Sequence, residues 1–82
     1  MIIKYSRHAK RRMKLYQITE NNISEVISCG SLKATNSGNN WKLFQPHNFR
    51  FPLKVVYREE ENCIIIVTCY PLKGALKNEN EL

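Results

Sequence analysis

One segment near the end of the chain, CIIIVTCY at residues 63–70, limits the fold more than any other. It is apolar at both odd and even positions except for Thr68, which is typical of a central β-strand covered on both faces. The segment FRFPLKVVYRE at 49–59 precedes it, separated by the polar tripeptide EEN at 60–62. This order predicts an antiparallel hairpin with a tight turn, in which Pro52 lies at a bulge or at the start of the first strand.

The N-terminal half has helical signals instead. Ser6 and Thr19 are residue types that cap helices, and they predict helices from Arg7 to about Tyr16 and from about Glu20 to Ser28. Gly30 is expected at the C′ position that ends the second helix, and the short link between the helices predicts a helical hairpin. The positions expected to face the core are Tyr5, Ala9, Met13, Tyr16, Ile23, Val26 and Ile27, with Ile18 and Ile23 forming a hydrophobic staple.

Three further segments predict the remaining strands, namely residues 1–5, 31–35 and 41–45. The resulting order is one strand, two helices and four strands. It predicts an α+β fold, with an N-terminal strand and a helical hairpin packed on one face of a four-to-five-stranded antiparallel sheet. The length of 82 residues allows one domain, assigned to residues 1–71, followed by a polar tail at 72–82.

The positive charge is concentrated at one end of the chain. Residues 1–16 contain six of the 13 basic residues and no acidic one, so the whole net charge of +6 lies there. Such clustering is typical of polyanion binding, in which neutralised phosphates release counterions. A solvated helix face is the alternative, and charge alone does not separate the two. The residues expected to grip phosphates are Lys10, Arg11 and Lys14.

Several classes of protein are disfavoured. The three cysteines include no CxxC pair, so reduced thiols are expected rather than a disulfide framework or a zinc site. No P-loop, dinucleotide fingerprint, zinc-protease or serine-hydrolase motif occurs, so neither a cofactor nor a metal is expected. The chain has no run of about 18 apolar residues and no apolar leader, which predicts a cytoplasmic location and no membrane partner.

His8 and Arg12 suggest phosphodiester chemistry. RNA cleavage by the 2′-hydroxyl requires a proton carrier and a cation that stabilises the phosphorane, roles suited to histidine and arginine. Because the two residues are four apart, one edge of a helix offers both. The residues expected to join them from the ends of the last two strands are Tyr57, Arg58, Thr68 and Tyr70. Packing of His8, an ion pair for Arg12 and a half-buried aromatic at Tyr70 are the alternatives.

The second face of the sheet has few segments to cover it. Depending on register, it is expected to present Lys42, Arg50, Lys54 and Arg58 together with aromatic side chains. The aromatic residues Trp41, Phe44, Phe49 and Phe51 suit either a base-stacking platform or the core, and core packing is favoured in so small a domain.

Two separated parts of the chain together resemble a known family. HAKRRM at 8–13 followed by ITENNISEVI at 18–27, and LKVVYREEENCIIIVTCYP at 53–71, resemble the opening and the closing hairpin of the domain of unknown function DUF4258 family. That family is similar in layout to the RelE/ParE and BrnT toxins of toxin–antitoxin pairs. The resemblance implies an RNase-like toxin scaffold, with His8, Arg12, Thr68 and Tyr70 matching the motifs. Tyr16 and Gln17 depart from it, since family members commonly have Arg-Gly there, and a cation is therefore lost.

The leading hypothesis is a RelE-like toxin that acts as a small metal-independent endoribonuclease and is neutralised by an acidic antitoxin. In it, His8 moves the proton, Arg12 and Arg58 hold the phosphate, and Tyr70 orients the substrate or assists proton transfer. Lys54 and Thr68 join Lys10, Arg11 and Lys14 as RNA contacts. The alternatives are a non-catalytic nucleic-acid-binding or regulatory module, or a protein-inhibiting toxin of the gyrase type. RNA and the antitoxin are the expected partners, and the sequence does not decide between a monomer and a homodimer.

Overall fold

Two helices pack against one face of a five-stranded sheet in the structure, a computed structural model that describes residues 2–34 and 38–72. The α+β fold class is therefore confirmed. Of the expected polar tail, residues 73–82 lie outside the described residues. The elements are β1 (Ile2–Tyr5), α1 (Arg7–Tyr16), α2 (Glu20–Cys29), β2 (Ser31–Ala34), β3 (Asn40–Phe44), β4 (Leu53–Glu60) and β5 (Cys63–Pro71).

The sheet is mixed, which corrects the expectation of an antiparallel one. Its strand order is β1-β5-β4-β3-β2, and β1 pairs with β5 in parallel while all other pairs are antiparallel. Backbone bonds from Ile2 N to Asn62 O and from Ser6 N to Ile66 O extend the parallel pairing beyond both ends of β1. The amino-acid pattern of a four-residue strand specifies that it is buried on one face, but it does not specify the direction in which the strand pairs.

Helix α1 begins and ends where the sequence predicts. Ser6 is extended, and its hydroxyl accepts a hydrogen bond from Ala9 N at 3.0 Å and donates one to Val67 O at 2.8 Å. The same side chain therefore caps the helix and fixes its start against β5. The helix ends at Gln17, which has the left-handed conformation at φ 57° and ψ 41°. This conformation is usually left to glycine.

Helix α2 also has the predicted cap, but it ends differently. Thr19 and Asn22 form a capping box, and the Asn22 amide also donates to Asn48 Oδ1 at 3.0 Å. Gly30 follows the helix with φ −74°, so it is not the expected left-handed C′ residue. A Cβ at Gly30 would lie 2.6 Å from Val26 O and 3.1 Å from Leu43 O. A glycine here therefore avoids a clash with Val26 O in the last turn of α2 and a close contact with Leu43 O of β3.

The covered face of the sheet forms one core with both helices. Leu53, Val55 and Ile66 are fully buried in it, as are Ile23 and Val26 of α2. Ile18 and Ile23, the two residues of the predicted staple, are both buried in this core. The side chains packed against its margin are Ile3, Tyr5, Met13, Tyr16, Ile27, Phe44 and Phe49.

The opposite sheet face, called the open face below, is not covered by any helix or strand within residues 2–34 and 38–72. Ile65 and Val56 on this face are partly exposed. The expectation that β5 is covered on both faces is therefore wrong for the described residues. β5 nonetheless lies between two strands, and its outward Ile65 is flanked by Lys4 of β1 and Arg58 of β4.

Candidate nucleic-acid interface

The outer surface of α1 carries a basic ridge, defined as Arg7, Lys10, Arg11 and Lys14. At 100° per residue these four side chains fall within about 100° of arc, on the side of the helix away from buried Ala9. All four are exposed. In the part of the chain that the structure describes, none has a carboxylate within 4.0 Å, since the ion pairs there are His47–Glu25 and Arg58–Glu60. The ridge is therefore a row of cations that no described acidic residue neutralises.

A second edge of α1 carries a short hydrogen-bonded row. Arg12 Nε donates to His8 Nε2 at 3.4 Å, and Arg12 Nη1 donates to the Tyr16 hydroxyl at 3.3 Å. Because Nε2 of His8 is the acceptor of this bond, the tautomer that fits it has its proton on Nδ1. Both bonds are long, so they orient the side chains only loosely. His8 is exposed, and Arg12 and Tyr16 are half-buried.

Tyr16 was expected only to face the core. It does pack against the core, and its hydroxyl also contacts Arg12. The spacing contained the signal for this contact, because Tyr16 follows Arg12 by four residues just as Arg12 follows His8. The row His8–Arg12–Tyr16 therefore extends the expected pair by one further turn of the helix.

Cys69 lies beneath Arg12 on the covered face. Burial raises the pKa of this thiol to about 11, while the positive charge of Arg12 lowers it in part. The side chain is fully buried and reduced. A thiol with this pKa stays protonated at neutral pH, so Cys69 is a packing residue rather than a nucleophile.

Three of the strand residues expected to join His8 and Arg12, namely Arg58, Thr68 and Tyr70, lie on the open face instead, whereas Tyr57 is buried in the core on the covered face. Tyr70 pairs with Lys54 and Thr68 with Val56, whereas Cys69 pairs with Val55 on the covered face. The register shifts by one residue between Val56 and Tyr57, and Val67 is the additional residue on β5. Without this bulge, Thr68 and Tyr70 would lie on the same face as Ile66, beneath α1.

Arg58 is also separated from the helix. It pairs with Ile65 on the open face and forms an exposed ion pair with Glu60 at 3.3 Å. Along β4 it is four residues from Lys54, the strand partner of Tyr70, or roughly 13 Å at 3.3 Å per residue. The structure therefore does not bring His8, Arg12, Arg58 and Tyr70 together into one site. The individual roles assigned to these residues remain predictions.

The open face contains a different cluster that sequence reasoning did not assemble. The Lys54 ammonium lies 4.2 Å from the centre of the Trp41 ring and 5.9 Å from the centre of the Tyr70 ring. We call these three residues the aromatic platform. Core packing was favoured for the aromatic side chains, and this is confirmed for Phe44 and Phe49 but not for Trp41. The alternation of Trp41, Lys42 and Leu43 along β3 shows that Trp41 and Lys42 face opposite sides of the sheet. The register of β3 is needed to know which of the two faces the open side.

Two of the cations expected on the open face lie elsewhere. Lys42 points to the covered side, where its ammonium donates to the carbonyl of Ile27 at the end of α2. Arg50 is exposed in the segment between β3 and β4. Lys54 and Arg58 are on the open face as expected, and Lys4 joins them from β1.

Other kinds of site are absent from the described residues. Residues 2–34 and 38–72 contain no enclosed pocket. They contain no group of three or more His, Cys, Asp or Glu side chains arranged to hold a metal ion. Neither helix in this part of the chain has the length and apolar character needed to cross a membrane.

A basic helix lying across a mixed sheet defines a small α+β domain with a charged outer surface. The chain belongs to the family described as domain of unknown function DUF4258, whose model matches residues 5–71. The match begins at the end of β1 and reaches the last residue of β5, so it includes both helices and the platform. No curated protein and no solved structure matched the chain. The family resemblance is therefore confirmed, while function has to be argued from the surfaces themselves.

Proposed function

We propose that the protein binds RNA and that the basic ridge of α1 holds the phosphates. The observation that carries this proposal is the row of four exposed cations with no described carboxylate in ion-pair distance. Each phosphate that such a cation neutralises releases condensed counterions, which favours association. A ridge on one helix face contacts the backbone rather than the base edges, so binding through it is independent of sequence.

We propose RNA rather than another polyanion because the sequence resemblance implies a scaffold like that of the RelE/ParE and BrnT toxins. That scaffold hosts RNases, although it also hosts gyrase inhibitors. An acidic antitoxin is the proposed protein partner, because an acidic segment laid along the ridge would occupy the same cations. RNA and antitoxin would then compete for the ridge.

The test is RNA binding by single-charge and triple variants. Each of Lys10→Gln, Arg11→Gln and Lys14→Gln should weaken binding of a labelled 12-nucleotide RNA about 5-fold at 0.1 M salt, and the triple variant on the order of 100-fold. Arg50→Gln removes the same charge from an exposed position outside the ridge and should change the affinity less than about 2-fold. Equal losses in the Arg50 variant and the ridge variants would show that only total charge matters.

RNA cleavage by a toxin is the second candidate, and the row His8–Arg12–Tyr16 favours it. The His8 imidazole would take the proton of the 2′-hydroxyl as its oxygen attacks phosphorus, and Arg12 would stabilise the charge on the phosphorane. The P–O5′ bond would then break, and the 5′-oxygen would take a proton from the imidazolium or from water. Tyr16 then has the position beside Arg12 that was expected of Tyr70. Arg58, Thr68, Lys54 and Tyr70 would act only as RNA contacts on the open face.

Cleavage is tested with purified protein and RNA, without added metal. If the proposal holds, the wild type yields fragments with 2′,3′-cyclic phosphate ends, and His8→Gln yields none at an unchanged melting temperature. A lowered melting temperature in the His8 variant would support the packing alternative. Expression in a host cell distinguishes an RNA-cleaving toxin from a gyrase-type toxin, because the gyrase-type toxin damages DNA and leaves RNA intact. If the protein binds RNA through the ridge but does not cleave it, the non-catalytic nucleic-acid-binding module is the supported alternative.

A further inference from the structure

We propose that the aromatic platform of Trp41, Lys54 and Tyr70 stacks unpaired bases and thereby makes the protein selective for single-stranded RNA. The inference rests on the proposed RNA binding and names the kind of RNA that is bound. Its basis is geometric, because the three residues come from three neighbouring strands and share one uncovered sheet face. Aromatic side chains on adjacent strands of an open sheet are suited to stacking successive bases.

The charges of this face favour a nucleic acid over a protein. Lys54 has no described carboxylate in ion-pair distance, and its ammonium rests over the Trp41 ring instead. A protein partner covering the face would have to remove this ammonium from water, which is costly without a matching acidic group. A nucleic-acid strand brings the matching phosphate with every base.

Lys54 must move when a base stacks on Trp41. Its long side chain can turn from the ring towards the phosphate of the same nucleotide, because an exposed cation–π contact is weaker than base–aromatic stacking. The contact seen in the structure therefore keeps the ring face occupied by a group that a base can displace. Tyr70, on the other side of Lys54, offers the second ring.

The platform and the basic ridge lie on opposite sides of the sheet, and Lys4 connects them. Lys4 is exposed on the edge strand β1, points to the open face, and precedes Arg7 of the ridge by three residues. A flexible single strand can pass around this edge and use both surfaces. A duplex is too stiff to do so and offers no unpaired bases.

Trp41 is the only tryptophan of the chain, so its emission reports directly on the platform. We expect a 12-nucleotide single-stranded RNA to quench this emission, while its duplex and inorganic polyphosphate do not. Trp41→Leu should weaken single-strand binding about 5- to 150-fold, the range of one base–aromatic stack. Its affinity for the duplex should change less than about 2-fold, because phosphate contacts on the ridge carry that binding.

Two further variants keep the test independent of folding. Trp41→Phe serves as the test if Trp41→Leu does not fold. It retains an aromatic ring and should keep most of the selectivity for single strands. Tyr70→Phe retains the second ring and should keep most of the selectivity for single strands, whereas Tyr70→Leu should lose it. Melting temperatures measured without RNA separate these effects from unfolding.

The outcomes distinguish the platform from the ridge. Equal affinity for single strand and duplex with unchanged emission would overturn the platform, while loss of binding in the ridge variants would still support the proposed function. Emission that shifts with protein concentration in the absence of RNA would instead make the open face a contact between copies of the chain. If no form of RNA binds, both proposals fail.

Discussion

Substituting Gly30 tests how α2 is seated on the sheet. An alanine Cβ there would lie 2.6 Å from Val26 O and 3.1 Å from both Leu43 O and Lys42 Cβ. Val26 O also accepts the hydrogen bond from Gly30 N, at 2.8 Å, that closes the helix. The two closest backbone neighbours lie on different elements, Val26 O in the last turn of α2 and Leu43 O on β3, so the chain at Gly30 must shift relative to both to relieve the contacts.

The expected cost follows from these contacts. Overpacking destabilises the fold by about 1–3 kcal/mol, and a weakened hydrogen bond at the helix end by about 1 kcal/mol. Alanine also lowers the conformational entropy of the unfolded chain, which stabilises the folded state by about 0.4–1 kcal/mol. Gly30→Ala should therefore destabilise by about 2 kcal/mol, which for a domain of this size lowers the melting temperature by about 8–16 °C. Urea unfolding followed by circular dichroism measures the free energy directly.

Gly38 provides the matched control. It has φ 86° and no atom within 4 Å of an added Cβ, so alanine there meets backbone strain but no clash. The strain of about 1–2 kcal/mol is partly offset by the same unfolded-state term, and the net loss should stay within about 1 kcal/mol. If Gly30→Ala costs no more than Gly38→Ala, the explanation by close contacts at Gly30 is refuted.

Two further predictions concern Cys69 in the core beneath α1 and Gln17 at the C-terminal end of that helix. The thiol of Cys69 has an ordinary pKa of 9.0 that burial raises to about 11. The unfolded chain therefore releases this proton at lower pH than the folded protein, and stability that is complete below pH 9 should fall by about 2–3 kcal/mol by pH 11. Cys69→Ala should flatten this part of a pH series of urea unfolding curves, and a loss of stability that persists in full in this variant would contradict its assignment to the Cys69 thiol. Gln17→Gly should raise the free energy of unfolding by roughly 0.5–1 kcal/mol, since it relieves a left-handed side-chain conformation. Gln17→Ala keeps that strain, and a gain of equal size in both variants would contradict the explanation.

Local patterns predicted the elements closely. Ser6 and Thr19 fixed the start of both helices, and the turn at Glu61 and Asn62 lies between β4 and β5 as expected. These features depend on residues within one or two turns of each other, so the sequence contains them fully. Pro52 likewise precedes β4, one of its two expected positions.

Long-range pairing was not predicted. The parallel direction of β1 and the bulge at Val67 depend on how distant strands align, and no local signal encodes either. The bulge matters most for function, because it turns Tyr70 from the face beneath α1 to the open face. This one-residue shift in register therefore separates Tyr70 from His8 and Arg12, and it places Tyr70 on the same face as Trp41.

The helix-borne candidates were predicted better than the strand-borne ones. The exposure of Lys10, Arg11 and Lys14 and the contact of His8 with Arg12 follow from 100° per residue alone. Tyr16 was read only as a core residue, although the same spacing places its hydroxyl beside Arg12. A helical periodicity can therefore define a surface, whereas a strand pattern needs its register first.

The salt dependence of RNA binding tests the central claim most directly. If the four cations of the ridge each neutralise one phosphate of a single strand, they should contribute about −2.8 to the slope of the logarithm of the binding constant against the logarithm of salt concentration. Substituting Lys10, Arg11 and Lys14 by glutamine together should reduce the magnitude of the slope by about 2.1. A wild-type slope near zero, or a slope that the triple substitution leaves unchanged, would contradict the assignment of RNA binding to α1.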